Sequence, residues 1–254
     1  MELTILHLFP DCMSLYGEYA NIAVLRRHLE AAGAAVTVES ALFEDAPDFA
    51  RADFIYMGAG TERTQKAALS ALLPHKEALK AAIDRGAVLL FTGNAMELLG
   101  ASITAEEGGK VWPCLGLAEF TTVETGYRVP EDVVARTSRG GSVVGGCRRK
   151  CSETCGGAAP WWARGAGAPA TAGDGSPGEG YVDGNVFATH LTGPILVKNP
   201  DFTDFLIRRL FSLKGWALPE ALPVLPYERE AYAVTLKELA GLDAGDPPGP
   251  CPAS

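Results

Sequence analysis

The sequence predicts an α/β fold: a doubly wound, mostly parallel sheet with helices on both faces. Three observations predict it. Short apolar runs alternate with segments of helical periodicity over the first hundred residues. The runs are almost unbroken, as in strands covered on both sides. Short Pro- or Gly-containing turns, rather than hairpin turns, end three of them, which calls for helical crossovers.

Each element has its own warrant. Leu3 to Phe9 is a short apolar run that Pro10-Asp11 ends. Between Tyr16 and Ala32, Ile22, Leu25 and Leu29 recur at helical spacing, and Gly33 suits the position after a helix end. Ala35 to Glu39 reads as a second strand and Asp53 to Met57 as a third, which stops at Gly58-Ala59-Gly60. A helical stretch from about Glu62 to Arg85 buries Leu69, Leu72, Leu73, Leu79 and Ile83, with a break at Pro74. Gly86 releases the chain into the apolar strand Ala87 to Phe91, and Thr92-Gly93-Asn94 turns it into a short helix, Ala95 to Leu99.

The second half is less regular. Residues 139–184 hold thirteen Gly and no Leu, Ile, Phe or Met, which predicts a loose Gly-rich insert. Order returns at the strand Asn185 to Thr189, followed by the Gly193-Pro194 turn and a helix from about Phe202 to Phe211. One domain over 1–212 and a tail over 213–254 follow, the tail with one helix (Glu228 to Leu239) and a frayed Pro-rich end.

With 254 residues, 47% hydrophobic and 21% charged, the chain can bury a full-sized core. A net charge of −9 argues against a nucleic-acid or anionic-membrane partner. No apolar stretch is long enough for a membrane span, and Met1-Glu2-Leu3-Thr4-Ile5 does not read as a signal peptide, so the expectation is a cytoplasmic protein with thiols, not disulfides. Among the six cysteines, Cys147, Cys151 and Cys155 form a C-x₃-C-x₃-C series that would share one helical face. It lacks a fourth ligand, so free loop thiols are the reading and a metal site the alternative. Trp161-Trp162 reads either as a docking anchor or as a pair folded back on the domain.

Ligands of an open parallel sheet bind beyond the carboxyl ends of its strands. Three segments occupy such ends: Phe9-Pro10-Asp11, Gly58-Ala59-Gly60-Thr61-Glu62 and Thr92-Gly93-Asn94. Gly58 and Gly60 allow backbone N–H groups to face a cleft as anion or oxyanion donors, although two glycines also serve simply to turn a strand into a helix. Strand, Thr92-Gly93-Asn94 and helix have the layout of a nucleophile elbow, but its apex is a glycine.

The run Phe9-Pro10-Asp11-Cys12-Met13-Ser14-Leu15-Tyr16-Gly17-Glu18-Tyr19-Ala20-Asn21 resembles the opening of class I glutamine amidotransferases of the cobyric-acid-synthase type, a flavodoxin-like fold. The most similar branch is the glutaminase subunit of lipid II isoglutaminyl synthases, with its P-D-x-M-N-L-Y-G-D-x-G-N string. Gly58 to Gln65 resembles the G-G-G-x-D-x-x-Q loop of that family, Phe91 to Gly100 its C-G-G-Y-Q-x-L-G nucleophile segment, and Phe187 to Pro200 its G-T-Y-x-H-G-P-x-L-x-x-N-P segment. The resemblance implies oxyanion or substrate contacts from Gly58, Ala59, Gly60, Gln65 and Asn94. It implies no cofactor, glutamine or a related carboxylate as ligand, and as partner a Mur-ligase-like ATP-dependent subunit acting on cell-wall or corrinoid carboxylates.

Two departures stand out. The family's nucleophilic Cys falls on Gly93 and its catalytic His on Thr192. In the family, thiolate attacks the carboxamide and imidazole assists the leaving ammonia. Loss of either typically costs on the order of 10⁴ to 10⁶ in rate. The sequence therefore points to a subunit that has lost glutaminase activity. The alternatives are an active hydrolase whose chemistry has moved to Cys12, Thr92 or His190, and a carboxylate-binding module.

Overall fold

The computed structural model describes residues 1–106, 109–137, 142–155, 162–164, 178–220, 222, 225 and 227–240. β1 (Glu2–Leu8), α1 (Tyr19–Ala31), β2 (Ala35–Ala41), β3 (Phe54–Met57), α2 (Glu62–Leu72), α3 (Lys76–Asp84) and β4 (Val88–Thr92) follow in order. The expected long helix divides at Pro74, where Leu73–His75 forms a single 3₁₀ turn between α2 and α3. A 3₁₀ segment, Gly93–Leu99, leaves β4. Next come β5 (Ser102–Thr104), β6 (Val111–Pro113), β7 (Thr121–Thr137), β8 (Ser142–Cys155), β9 (Trp162–Arg164) and β10 (Gly178–Glu179). β11 (Tyr181–Asp183), β12 (Val186–Thr189), α4 (Ile195–Lys198), α5 (Pro200–Leu213) and α6 (Glu228–Ala240) complete the chain.

The main sheet runs β11-β12-β4-β3-β1-β2. All its neighbours pair in parallel except β11 with β12, so the sheet is mostly parallel and the class is α/β, as the sequence predicts. Strand order reverses between β1 and β3, which opens a crevice at the carboxyl edge there. Alternate residues divide each strand between two cores. Leu6, Leu8, Ile55, Met57, Leu89 and Phe91 pack with Leu69 and Leu72 of α2 and Leu79 of α3. On the opposite face Leu3, Ile5, Phe54, Val88 and Leu90 pack with Leu25 and Leu29 of α1 and Leu206 and Leu210 of α5. Each large side chain so buried contributes roughly 1.5–3 kcal/mol. Among the described residues, no helix is long and apolar enough to cross a membrane.

A second six-stranded sheet is the main departure from the sequence reading. Its path is β10-β9-β7-β5-β6, with β8 paired to β7. β8 lies within the stretch predicted to be a loose insert, yet it pairs antiparallel with β7 from Thr121↔Cys155 to Arg136↔Ser142, with a register shift between Thr125 and Arg128. Composition misleads here because a ladder is held by backbone groups, which a count of large apolar side chains does not see. Val143 and Val144 are buried, and Val143 joins the core beside α5. Asn199 completes the attachment: the Val144 N–H donates to its Oδ1 at 2.7 Å, and its Nδ2 donates to the Val144 carbonyl at 2.7 Å and the Ile195 carbonyl at 2.8 Å. Cys147, Cys151 and Cys155 therefore lie on a strand, not a helix. Their side chains are outside the described residues, as are Trp161, the Trp162 side chain and the Pro-rich end.

Candidate active site

Four strand ends meet at the carboxyl edge. β3 delivers Gly58-Ala59-Gly60, β4 delivers Thr92-Gly93-Asn94, β12 delivers Thr189 to Gly193, and the segment after β1 returns Glu18 across the crevice. Gly93 has φ +60°, so the tip of β4 keeps the left-handed turn of an elbow, a conformation that glycine enters without strain. Thr189 lies beside Thr92 in the β12–β4 register. Around a Cβ placed on Gly93, the nearest atoms are Ala59 Cβ at 2.5 Å, Thr192 Cγ2 at 3.0 Å and Ala59 Cα at 3.3 Å. The structure thus brings positions 59, 93 and 192 together, and no part of Cys12 or His190 is among those nearest atoms.

The glycine loop is fixed by contact on both sides. A Cβ on Gly58 would meet Glu18 Cβ at 2.7 Å and the Met13 carbonyl at 2.8 Å. One on Gly60 would overlap Met13 Sδ and lie 2.5 Å from Thr64 Oγ1. These glycines therefore admit the Met13–Glu18 segment. The Gly60 N–H donates to Asn94 Oδ1 at 2.9 Å, and Asn94 Nδ2 returns a bond to the Gly60 carbonyl at 3.0 Å. Asn94 thereby ties the two loops to each other. Gln65 stands behind the elbow, donating from Nε2 to the Asn94 carbonyl at 2.6 Å and to Glu97 Oε2 at 2.7 Å. Lys66 Nζ extends this chain, donating to Gln65 Oε1 and to Glu124 Oε1 of β7, each at 2.7 Å.

Of the residues named as relocated nucleophile or base, Thr92 and His190 come from the same strand ends, and Cys12 borders the glycine loop, its carbonyl 3.1 Å from a Cβ placed on Gly60. Cys12 is half-buried and packs against the core beneath α2 and α3. Burial, then the Asp11 carboxylate, pushes its thiol up to about 11. At pH 7 roughly one such thiol in ten thousand is ionised. The Thr92 hydroxyl is fully buried and committed to Glu18. His190 Nε2 sits 3.6 Å from Glu97 Oε1.

Glu18 is the residue that the sequence reading overlooks. Its side chain is completely buried at the centre of the site. Oε2 accepts from Asn21 Nδ2 at 3.1 Å, from the Tyr56 hydroxyl at 2.6 Å and from the Thr92 hydroxyl at 2.5 Å, while Oε1 accepts from the Gly193 N–H at 3.0 Å. The Tyr56 and Thr92 oxygens are themselves only 2.9 Å apart. Both hydroxyls therefore converge on one carboxylate oxygen. Desolvation raises the Glu18 carboxyl above its ordinary value against the opposing bonds from Thr92, Tyr56, Gly193 and Asn21. Tyr56 is held neutral by the same burial and then by Glu18. A signal was present: Glu18 and Asn21 stand where the family string has G-D-x-G-N.

With this geometry in hand, comparison with known proteins gives a consistent picture. The CobB/CobQ-like glutamine amidotransferase domain matches residues 4–200. The GatD subunit of lipid II isoglutaminyl synthase (glutamine-hydrolyzing) from Staphylococcus aureus (strain N315) is 30% identical over 218 residues, 84% of this chain and 86% of its own. The GatD subunit from Streptococcus pneumoniae (strain ATCC BAA-255 / R6) is 27% identical over 132 residues, 52% of this chain and 51% of its own. Among solved structures, a glutamine amidotransferase overlays with a TM-score of 0.47 at 13% identity, covering 83% of this chain and 98% of its own.

Proposed function

Because the chain belongs to the CobB/CobQ-like glutamine amidotransferase family, we propose that it is a GatD-like subunit of lipid II amidation that no longer hydrolyses glutamine. Its role is then to serve as the structural or regulatory partner of a Mur-ligase-like, ATP-dependent amidating subunit. The carrying observation is the elbow tip: Gly93 keeps the left-handed turn and brings no side chain, and the position facing it is Thr192. An acyl-enzyme route needs a sulfur to attack the carboxamide and an imidazole to pass a proton to ammonia. Neither group stands at the tip. The reading of relocated chemistry loses support from the Cys12 thiol, which burial holds near 11, and from the Thr92 hydroxyl, which is bound to Glu18.

The test is ammonia release from glutamine, with the chain alone and mixed with its candidate ligase subunit. The expected result is no release above buffer in either case, and no change on Cys12→Ala. Turnover that Cys12→Ala abolishes would restore the relocated-enzyme reading. A carboxylate-binding role is separable by titration calorimetry with glutamine and glutamate at millimolar concentration.

A further inference from the structure

We infer that Ala59 closes the elbow, so that this chain admits no side chain at position 93 until position 59 is glycine. The inference rests on the proposed loss of glutaminase chemistry only for its meaning; its physical content is steric. A Cβ at position 93 would lie 2.5 Å from the Ala59 methyl, closer than real Cβ atoms approach one another. Relief would require one wall to retreat, and neither has room to do so. The Ala59 methyl has no rotamer to change. Its carbonyl accepts the Leu15 N–H at 2.9 Å, and the next residue, Gly60, is tied to Asn94 through its N–H at 2.9 Å and its carbonyl at 3.0 Å. Gly58 is already against Glu18 Cβ and Gly60 against Met13 Sδ, so the loop cannot move toward β1. On the far side Thr192 Cγ2 stands 3.0 Å from the same point, and its neighbour Gly193 is bound through its N–H to Glu18.

Where this chain has Gly58-Ala59-Gly60, the related loop reads G-G-G. Position 59 is thus a third departure, coupled in space to Gly93 and Thr192 although 34 residues before the one and 133 before the other in sequence. Replacing the nucleophile and base alone leaves the restored thiol crowded against a methyl group. Geometry misplaced by about 1 Å is enough to cost on the order of 100-fold in a reaction of this kind.

The experiment compares Gly93→Cys/Thr192→His with Ala59→Gly/Gly93→Cys/Thr192→His, using a chloroketone analogue of glutamine as the probe. Alkylation forms a sulfur–carbon bond at the introduced thiol as chloride leaves, with the thiol proton passing to the introduced imidazole. Mass spectrometry of the tip peptide reads the rate. The triple variant is expected to label about 100-fold faster than the double. Equal labelling of the two, or no labelling of a folded triple variant, would overturn the inference. A stability cycle without reactive groups provides an independent measure. Gly93→Ala is expected to lower Tm in both backgrounds, because the left-handed backbone cost is common to both, but by less beside Ala59→Gly, and equal losses in both backgrounds would also overturn it. Glutamine turnover by the native chain would instead remove the proposed function and leave the steric result standing.

Discussion

Burial holds the His7 imidazole at about 4, well below its ordinary 6.5. Its ring lies 5.3 Å from that of Tyr56, with Nε2 buried and without a hydrogen-bond partner among the described residues. Below pH 6.5 the unfolded chain takes up a proton that the folded chain refuses until about 4. The stability contributed by neutral His7 is therefore complete above 6.5 and falls as pH drops from 6.5 toward 4, by up to about 3 kcal/mol. Glu18 has the opposite sign. Its folded value is raised above 4.5, so its contribution is full below 4.5 and is lost as pH rises through the folded value. Urea unfolding across a pH series checks both: His7→Phe is expected to flatten the acid limb, and Glu18→Gln to flatten the decline on the alkaline side. The motifs alone mark Gly93 and Thr192, because a missing thiol and a missing imidazole are visible in the string itself. It could not weigh Ala59, since the cost of one methyl group depends on which backbone faces it. The role of Glu18 is not legible in its motif, because it depends on donors drawn from three other segments.

Helix α6 is held differently from the other long helices. None of its described side chains is buried. Its anchors are polar: Glu228 lies 3.0 Å from Nε2 of the buried His28 on α1, and Arg229 donates to Asp201 at 2.7 Å and Asp204 at 2.9 Å on α5. An isolated helix of this length is marginal in water, so those contacts determine whether it stays docked. Hydrogen exchange over 228–240 is expected to quicken at least tenfold in Glu228→Gln/Arg229→Gln, with the rest of the chain unchanged. Raising the salt concentration should act in the same direction on the native chain. Existence and type were legible for β1 to β4, β12, α5 and α6, whose apolar spacing or flanking turns mark them. β8 is not, because it lies in a glycine-rich run, and neither is β7, which precedes that run as a long strand with a register shift between Thr125 and Arg128. Gly145 shows the reverse: a Cβ there would lie 2.9 Å from Leu191 Cβ, so the missing side chain is what lets the strand approach.

One sheet with a core on each face makes the two halves interdependent. Leu89 and Leu90 are neighbours on β4, yet the first belongs to the core under α2 and α3 and the second to the core under α1 and α5. Leu89→Ala and Leu90→Ala are each expected to cost about 2–5 kcal/mol. Both should shift a single unfolding transition, with circular dichroism and tryptophan fluorescence moving together; two separated transitions in either variant would show that the cores melt apart. The parallel character of the main sheet was legible in the βα alternation, whereas the second sheet has no such alternation to mark it. The bond from Asn199 to Val144 spans that divide. Its side-chain amide meets both backbone groups of Val144, as an adjacent strand would, and the same residue closes α4, six residues beyond the Gly193 N–H that binds Glu18. Through Asn199, β8 is thereby anchored to the same stretch of chain that lines the elbow.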